Sequence, residues 1–122
     1  MNALAWVLAA PAGALGALAR HGTGRVMATR LGAGAPWGVL AVNLAGAFLL
    51  GLLVGAAPGD RIVLVLGAGF LGSYTTFSTW MLETDALAMR GRYADALLNL
   101  VGPVVGGFML AAAGFAAGVA VG

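Results

Sequence analysis

The side chains best suited to holding an ion crowd into one short stretch of this sequence. Gly67, Gly69 and Gly72 lead into Ser73, Tyr74, Thr75, Thr76, Phe77, Ser78, Thr79 and Trp80, directly after the hydrocarbon run Ile62 to Leu66. Hydroxyls, backbone groups and the positive edges of aromatic rings bind ions by hydrogen bonding and electrostatics, without making a covalent bond. Enzyme chemistry has little to work with here. With 1 His and 0 Cys, the chain presents no nucleophile–base pair, and neither a disulfide nor a thiolate metal site can form.

Two conformations fit the stretch from Gly67 to Trp80. Glycines followed by consecutive Ser, Tyr, Thr and Thr make a poor helix, so the backbone can break and free carbonyls that suit a cation. Alternatively the helix continues, with each hydroxyl bonding back to the carbonyl one turn earlier. Phe77 and Trp80 share a helix face, as do Thr75 and Thr79. Rings presented edge-on there can accompany a small anion, or they can simply face lipid or core. Asn43 is the one strongly polar side chain of its own apolar segment. Its amide can bridge helices, the commoner role, or donate to an anion.

The elements that position these residues must cross a membrane. Of the 122 residues, 61% are hydrophobic and 8% are charged, against about a quarter charged in ordinary soluble domains. No charge precedes Arg20, and none lies between Arg30 and Asp60, between Arg61 and Glu83, or after Asp95. Each run is near or above the roughly 20 residues that carry a helix across about 30 Å of hydrocarbon. The sequence therefore predicts a single all-α membrane domain over residues 1–122, with spans at about 2–25, 36–56, 61–88 and 94–120. Pro36 is placed to start the second helix and Pro58-Gly59-Asp60 to make a turn. The first segment lacks a basic residue ahead of its apolar run, so it reads as a retained span and not as a secretion signal.

A pI of about 10 comes from arginine, not from a nucleic-acid-binding face. Arg25, Arg30, Arg90 and Arg92 are expected in loops, as anchors to anionic lipid. They share a side of the membrane opposite the Pro58–Arg61 turn and both termini. That asymmetry predicts termini outside the cytoplasm, and a subunit of fixed orientation. The pairs Gly51/Gly55, Gly102/Gly106, Gly114/Gly118 and Gly118/Gly122 have the small-x3-small spacing that brings helices close in lipid, a spacing that glycine-rich composition also yields by chance. A unit this small is expected to oligomerise.

Three segments together resemble the Fluc/CrcB family of fluoride channels. The first carries Gly13, Gly16, Ala17 and Arg20. The second carries Trp37, Gly38, Val42, Asn43, Gly46, Phe48 and Gly51. The third carries Gly69, Gly72, Thr75-Thr76-Phe77-Ser78-Thr79 and then Leu82-Glu83-Thr84. The resemblance implies four spans, the third interrupted mid-membrane, in an antiparallel dimer formed with itself or with an oppositely oriented paralogue. It further implies passive export of fluoride across the cell membrane along narrow pathways, lowering cytoplasmic fluoride. A structural sodium ion would sit at the dimer centre, on backbone carbonyls of Gly72 and Thr75. By position, Asn43, Phe77, Ser78 and Thr79 would line the ion pathway, and Arg20 and Glu83 would serve as interfacial supports.

The chain departs from the family pattern at three places. Trp80 stands where the family has a second phenylalanine, bringing a larger ring and an N–H to the pathway. Asn99 and Pro103 occupy the last-helix positions where the family offers Tyr and Ser. His21 replaces a frequent Tyr and is expected at an interface. Proton-coupled small multidrug exporters also pair four-span subunits, but they need an acid inside the membrane. Asp60, Glu83, Asp85 and Asp95 are all expected at span ends.

Overall fold

The computed structural model describes residues 3–32 and 37–122. Asn2 and Pro36, expected to open the first two spans, and Gly34 lie outside the described residues. All regular elements among the described residues are helical. Helix α1 spans Ala3–Leu31, α2 spans Trp37–Ala56, and α3 joins an α turn Asp60–Ile62, a π-helical run Val63–Leu71 and a second α turn Gly72–Tyr74. After an extended interruption come α4, Ser78–Met89, and α5, Tyr93–Val121. With α3 and α4 taken as one crossing, four segments are long and apolar enough to span a bilayer, and the chain is a multi-pass membrane protein.

Helix α1 continues past Arg25 and Arg30, so these two arginines lie on its last turns and not in a loop. The reason is local. Val26 to Leu31 contains no breaker, and the helix stops only at Gly32, whose φ of +97° is left-handed and whose N–H closes the end on the Ala28 carbonyl at 3.0 Å. Cationic side chains there also meet the negative end of the helix dipole. Arg90 and Arg92 do sit in the short α4–α5 connection, around Gly91 at φ +75°.

Helices α2 and α5 pack backbone to backbone. A Cβ at Gly51 would fall on the Ala111 carbonyl and one at Gly55 on that of Phe115. In return Gly114 faces the Phe48 carbonyl, Gly118 that of Leu52 and Gly122 that of Ala56. Three of the four small-x3-small pairs therefore form one interdigitated seam, the arrangement that substitutes for hydrophobic driving force in lipid. A Cβ on Gly102 would meet nothing within 4 Å, so the Gly102/Gly106 pair takes no part in this seam. Helix α1 crosses α3 in the same manner, Gly16 against the Phe70 carbonyl and Gly69 against that of Ala9, which a Cβ on Gly69 would meet at 2.9 Å. A small side-chain core of Val42, Leu71 and Tyr74, flanked by Ala19 and Phe70, lies next to the interruption.

Candidate functional site

The glycine-rich third span is broken, in favour of the first of the two conformations its sequence allows. Helix α3 ends at Thr75, where the backbone turns extended at φ −80°, ψ 160°. The distortion starts earlier than the glycines suggest. From Val63 the turns widen to π-helical, and the Gly72 N–H reaches back to the Gly67 carbonyl. Extended π-helix is rare and tends to mark functional sites. The hydroxyl back-bond of the continuous-helix reading occurs as well, but as a cap. Thr75 Oγ1 and the Thr75 N–H both donate to the Leu71 carbonyl, at 2.9 and 3.0 Å, and close the end of α3.

Asn43 holds the break open. Its Oδ1 accepts the Thr76 N–H at 2.9 Å while its Nδ2 donates to the Thr76 carbonyl at 3.0 Å, so one amide pairs both backbone groups of a residue that lies between the two helices. In an unbroken helix that Thr76 N–H would bond the Gly72 carbonyl. The Thr79 N–H would likewise bond the Thr75 carbonyl, but it is donated to Thr76 Oγ1 at 3.3 Å, capping the first turn of α4. Both diversions leave the carbonyls of Gly72 and Thr75 without their helical donors. Buried Thr76 therefore organises the break, a role that nothing in its own residue type marks out from neighbouring Thr75.

Around the break lies a cavity of about 500 Å³, open on one side, whose lining includes Asn43, Gly72, Thr75, Thr76, Phe77 and Trp80 together with Val104 and Phe108 of α5. None of its lining residues is charged. Asn43, Gly72, Thr75, Phe77 and Trp80, all expected at the ion sites, are thus brought together. Ser78 and Thr79 are exposed on the first turn of α4 and do not line it. Arg20 and Glu83, both half-buried, share a second cavity of about 240 Å³ with Thr76 and Val42. There Glu83 Oε2 is buried without a hydrogen-bond partner.

Phe77 is 69% exposed within the chain, and Trp80 meets it edge to face, with ring centroids 5.7 Å apart at 87°. The indole N–H of Trp80, expected in the pathway, is instead donated across to the Asn99 carbonyl of α5 at 2.6 Å. Asn99 Nδ2 in turn donates to Thr84 Oγ1, and the Thr84 hydroxyl to the Trp80 carbonyl, each at 2.9 Å. The sequence points to this link only through Pro103, which has no N–H to offer the carbonyl one turn before it.

Comparison with known proteins places the chain among relatives of the same size. Residues 7–115 match the family described as CrcB-like protein, Camphor Resistance (CrcB). A protein of Rubrobacter xylanophilus called fluoride-specific ion channel FluC 1 is 51% identical over 116 residues, 94% of this chain and 92% of that one. Another FluC 1, of Symbiobacterium thermophilum, is 47% identical over 102 residues, covering 79% and 82% of the two chains. A fluoride-specific ion channel FluC of Thermus thermophilus is 43% identical over 118 residues, covering 93% and 94%. A family match over nearly the whole chain, with relatives this similar over most of their length, makes this protein a member of the CrcB family.

Proposed function

We propose that the chain is a subunit of a fluoride-selective channel that lets fluoride leave the cell passively, down its own gradient. The observation that carries this reading is the uncharged cavity at the break. Asn43 lines it and keeps a second Nδ2 N–H beyond the one donated to Thr76, and Phe77 lies beside it. Amide N–H and ring-edge donors without a fixed cation favour a small, strongly hydrogen-bond-accepting anion. The relatives named as fluoride channels support the same ion. A proton-coupled exporter would need an acid in this cavity, and its lining holds none.

The donor set at the break also fits a structural sodium ion. Hard cations take oxygen ligands, and carbonyls at the C-terminal end of a half-helix carry its negative dipole. The Gly72 and Thr75 carbonyls are of that kind, released because Asn43 and Thr76 take their donors. One chain supplies too few of them to enclose an ion, so the reading requires a second copy or paralogue in inverted orientation, doubling the set. Gly72 has the exposure for this. A Cβ there would meet only the Gly67 carbonyl, at 3.7 Å, so nothing within the chain demands glycine.

Fluoride and chloride efflux from liposomes containing the purified chain test the channel. Rapid fluoride loss with chloride retained is expected, and robust chloride flux or a requirement for a proton gradient would refute it. Gly72→Val should preserve the subunit's helix content but abolish its dimer in detergent. An intact dimer would remove the sodium-centred interface.

A further inference from the structure

We propose that Trp80 is a positioning residue whose indole, tethered to the carbonyl that Pro103 leaves free on α5, fixes the Phe77 ring at the mouth of the pathway. The inference rests on the channel reading above and adds the device that sets one wall of it.

The argument begins with a proline inside a membrane helix. Pro103 is buried within α5 and lacks the N–H that would pair with the Asn99 carbonyl. In hydrocarbon a carbonyl without a donor is strongly unfavourable, and such helices persist where a neighbour supplies one. Here the donor is the Trp80 indole, at 2.6 Å. Phenylalanine has no N–H, so this wall position and the proline belong together chemically. Around the indole, Asn99 Nδ2 donates to Thr84 Oγ1 and the Thr84 hydroxyl to the Trp80 carbonyl, so a further hydrogen bond joins α4 to α5 beside it.

A tethered indole has a fixed plane, and Phe77 packs against that plane edge to face. Phe77 otherwise has little to hold it, being 69% exposed within the chain. The orientation of the Phe77 edge, the part of the ring attractive to an anion, is thereby inherited from α5 through Trp80. The indole N–H is itself committed and does not serve as an anion donor.

The test separates holding the fold from holding the ring. Trp80→Phe orphans the Asn99 carbonyl, while Trp80→Phe/Pro103→Ala restores a donor to it from the helix itself. Thermal stability in detergent and fluoride efflux from liposomes are measured for both and for the wild type. Trp80→Phe should lower stability, because the Asn99 carbonyl is left without a donor, and should separately slow efflux about tenfold through loss of the fixed Phe77 ring. The double variant should recover stability yet keep the slow efflux, because the ring remains untethered. Efflux that recovers along with stability, or a Trp80→Phe channel as fast as the wild type, would overturn the proposal. A wild type without fluoride efflux would instead overturn the channel reading, and rapid hydrogen exchange of the Trp80 indole N–H would overturn the tether by itself.

Discussion

Asn43 makes the most direct test of how the break is maintained. Replacing it with Leu keeps the volume and removes both bonds to Thr76, at 2.9 and 3.0 Å. Side-chain hydrogen bonds within membrane proteins are worth about 0.6 kcal/mol on average and about 1.7 at most, so losing two amounts to roughly 1 to 3 kcal/mol. That corresponds to a roughly 5- to 150-fold rise in the open population at this point of the backbone. Asn43→Asp keeps the acceptor for the Thr76 N–H but sets a carboxylate oxygen against the Thr76 carbonyl, so it should be at least as damaging. Two measurements follow from one preparation. Unfolding in mixed micelles of increasing dodecyl sulfate content reads the global change, and hydrogen exchange at the Thr76 amide reads the local one. Asn43→Leu should be destabilised by the stated amount, with faster exchange at Thr76. Stability within about 0.5 kcal/mol of wild type and an unchanged Thr76 amide would refute the clamp.

Gly46→Ala would drive a methyl into Thr75 Cγ2 and disturb the break. Thr75→Ser removes that carbon while keeping the hydroxyl bond to Leu71, so it should be nearly silent alone and should rescue Gly46→Ala, with a coupling of about 1 kcal/mol in a double-mutant cycle. Gly114→Ala, which collides with the Phe48 carbonyl, should destabilise by about 1–3 kcal/mol in the same micelle titration, whereas Gly102→Ala should not. Cysteine tags placed at the two termini should label from the outer side, the orientation that the arginine distribution favours, and equal labelling from both sides would mean dual insertion.

The architecture was largely legible because charge-free runs have one economical fate, and the lengths of those runs mark the spans. The broken third span was legible as an alternative only. Glycine and hydroxyl content weaken a helix, but whether it breaks depends on a partner for the freed backbone, and that partner, Asn43, comes from a different span. Periodicity within one helix carries no information about such a bond. The roles of Trp80, Asn99 and Pro103 were hidden for the same reason. Each looked like a separate departure from the family, and only α4 beside α5 makes them one chain of hydrogen bonds. Arg25 and Arg30 show the converse, because charge marks where a chain nears water but does not end a helix, and α1 runs on through both to Leu31.

The glycine seam between α2 and α5 has a thermodynamic consequence. Burying Lys, Met or Leu side chains freezes rotamers, at up to about 2 kcal/mol each, whereas glycine has none to freeze. The α2–α5 contact at Gly51, Gly55, Gly114 and Gly118 thus forms with little loss of side-chain entropy, and heating erodes it less than a leucine-packed interface. It also offers no alternative packing to switch into, because backbone against backbone has no second set of torsions. The break at Thr75 and Thr76 is of the opposite kind, held by two side-chain hydrogen bonds from Asn43 that can exchange partners one at a time.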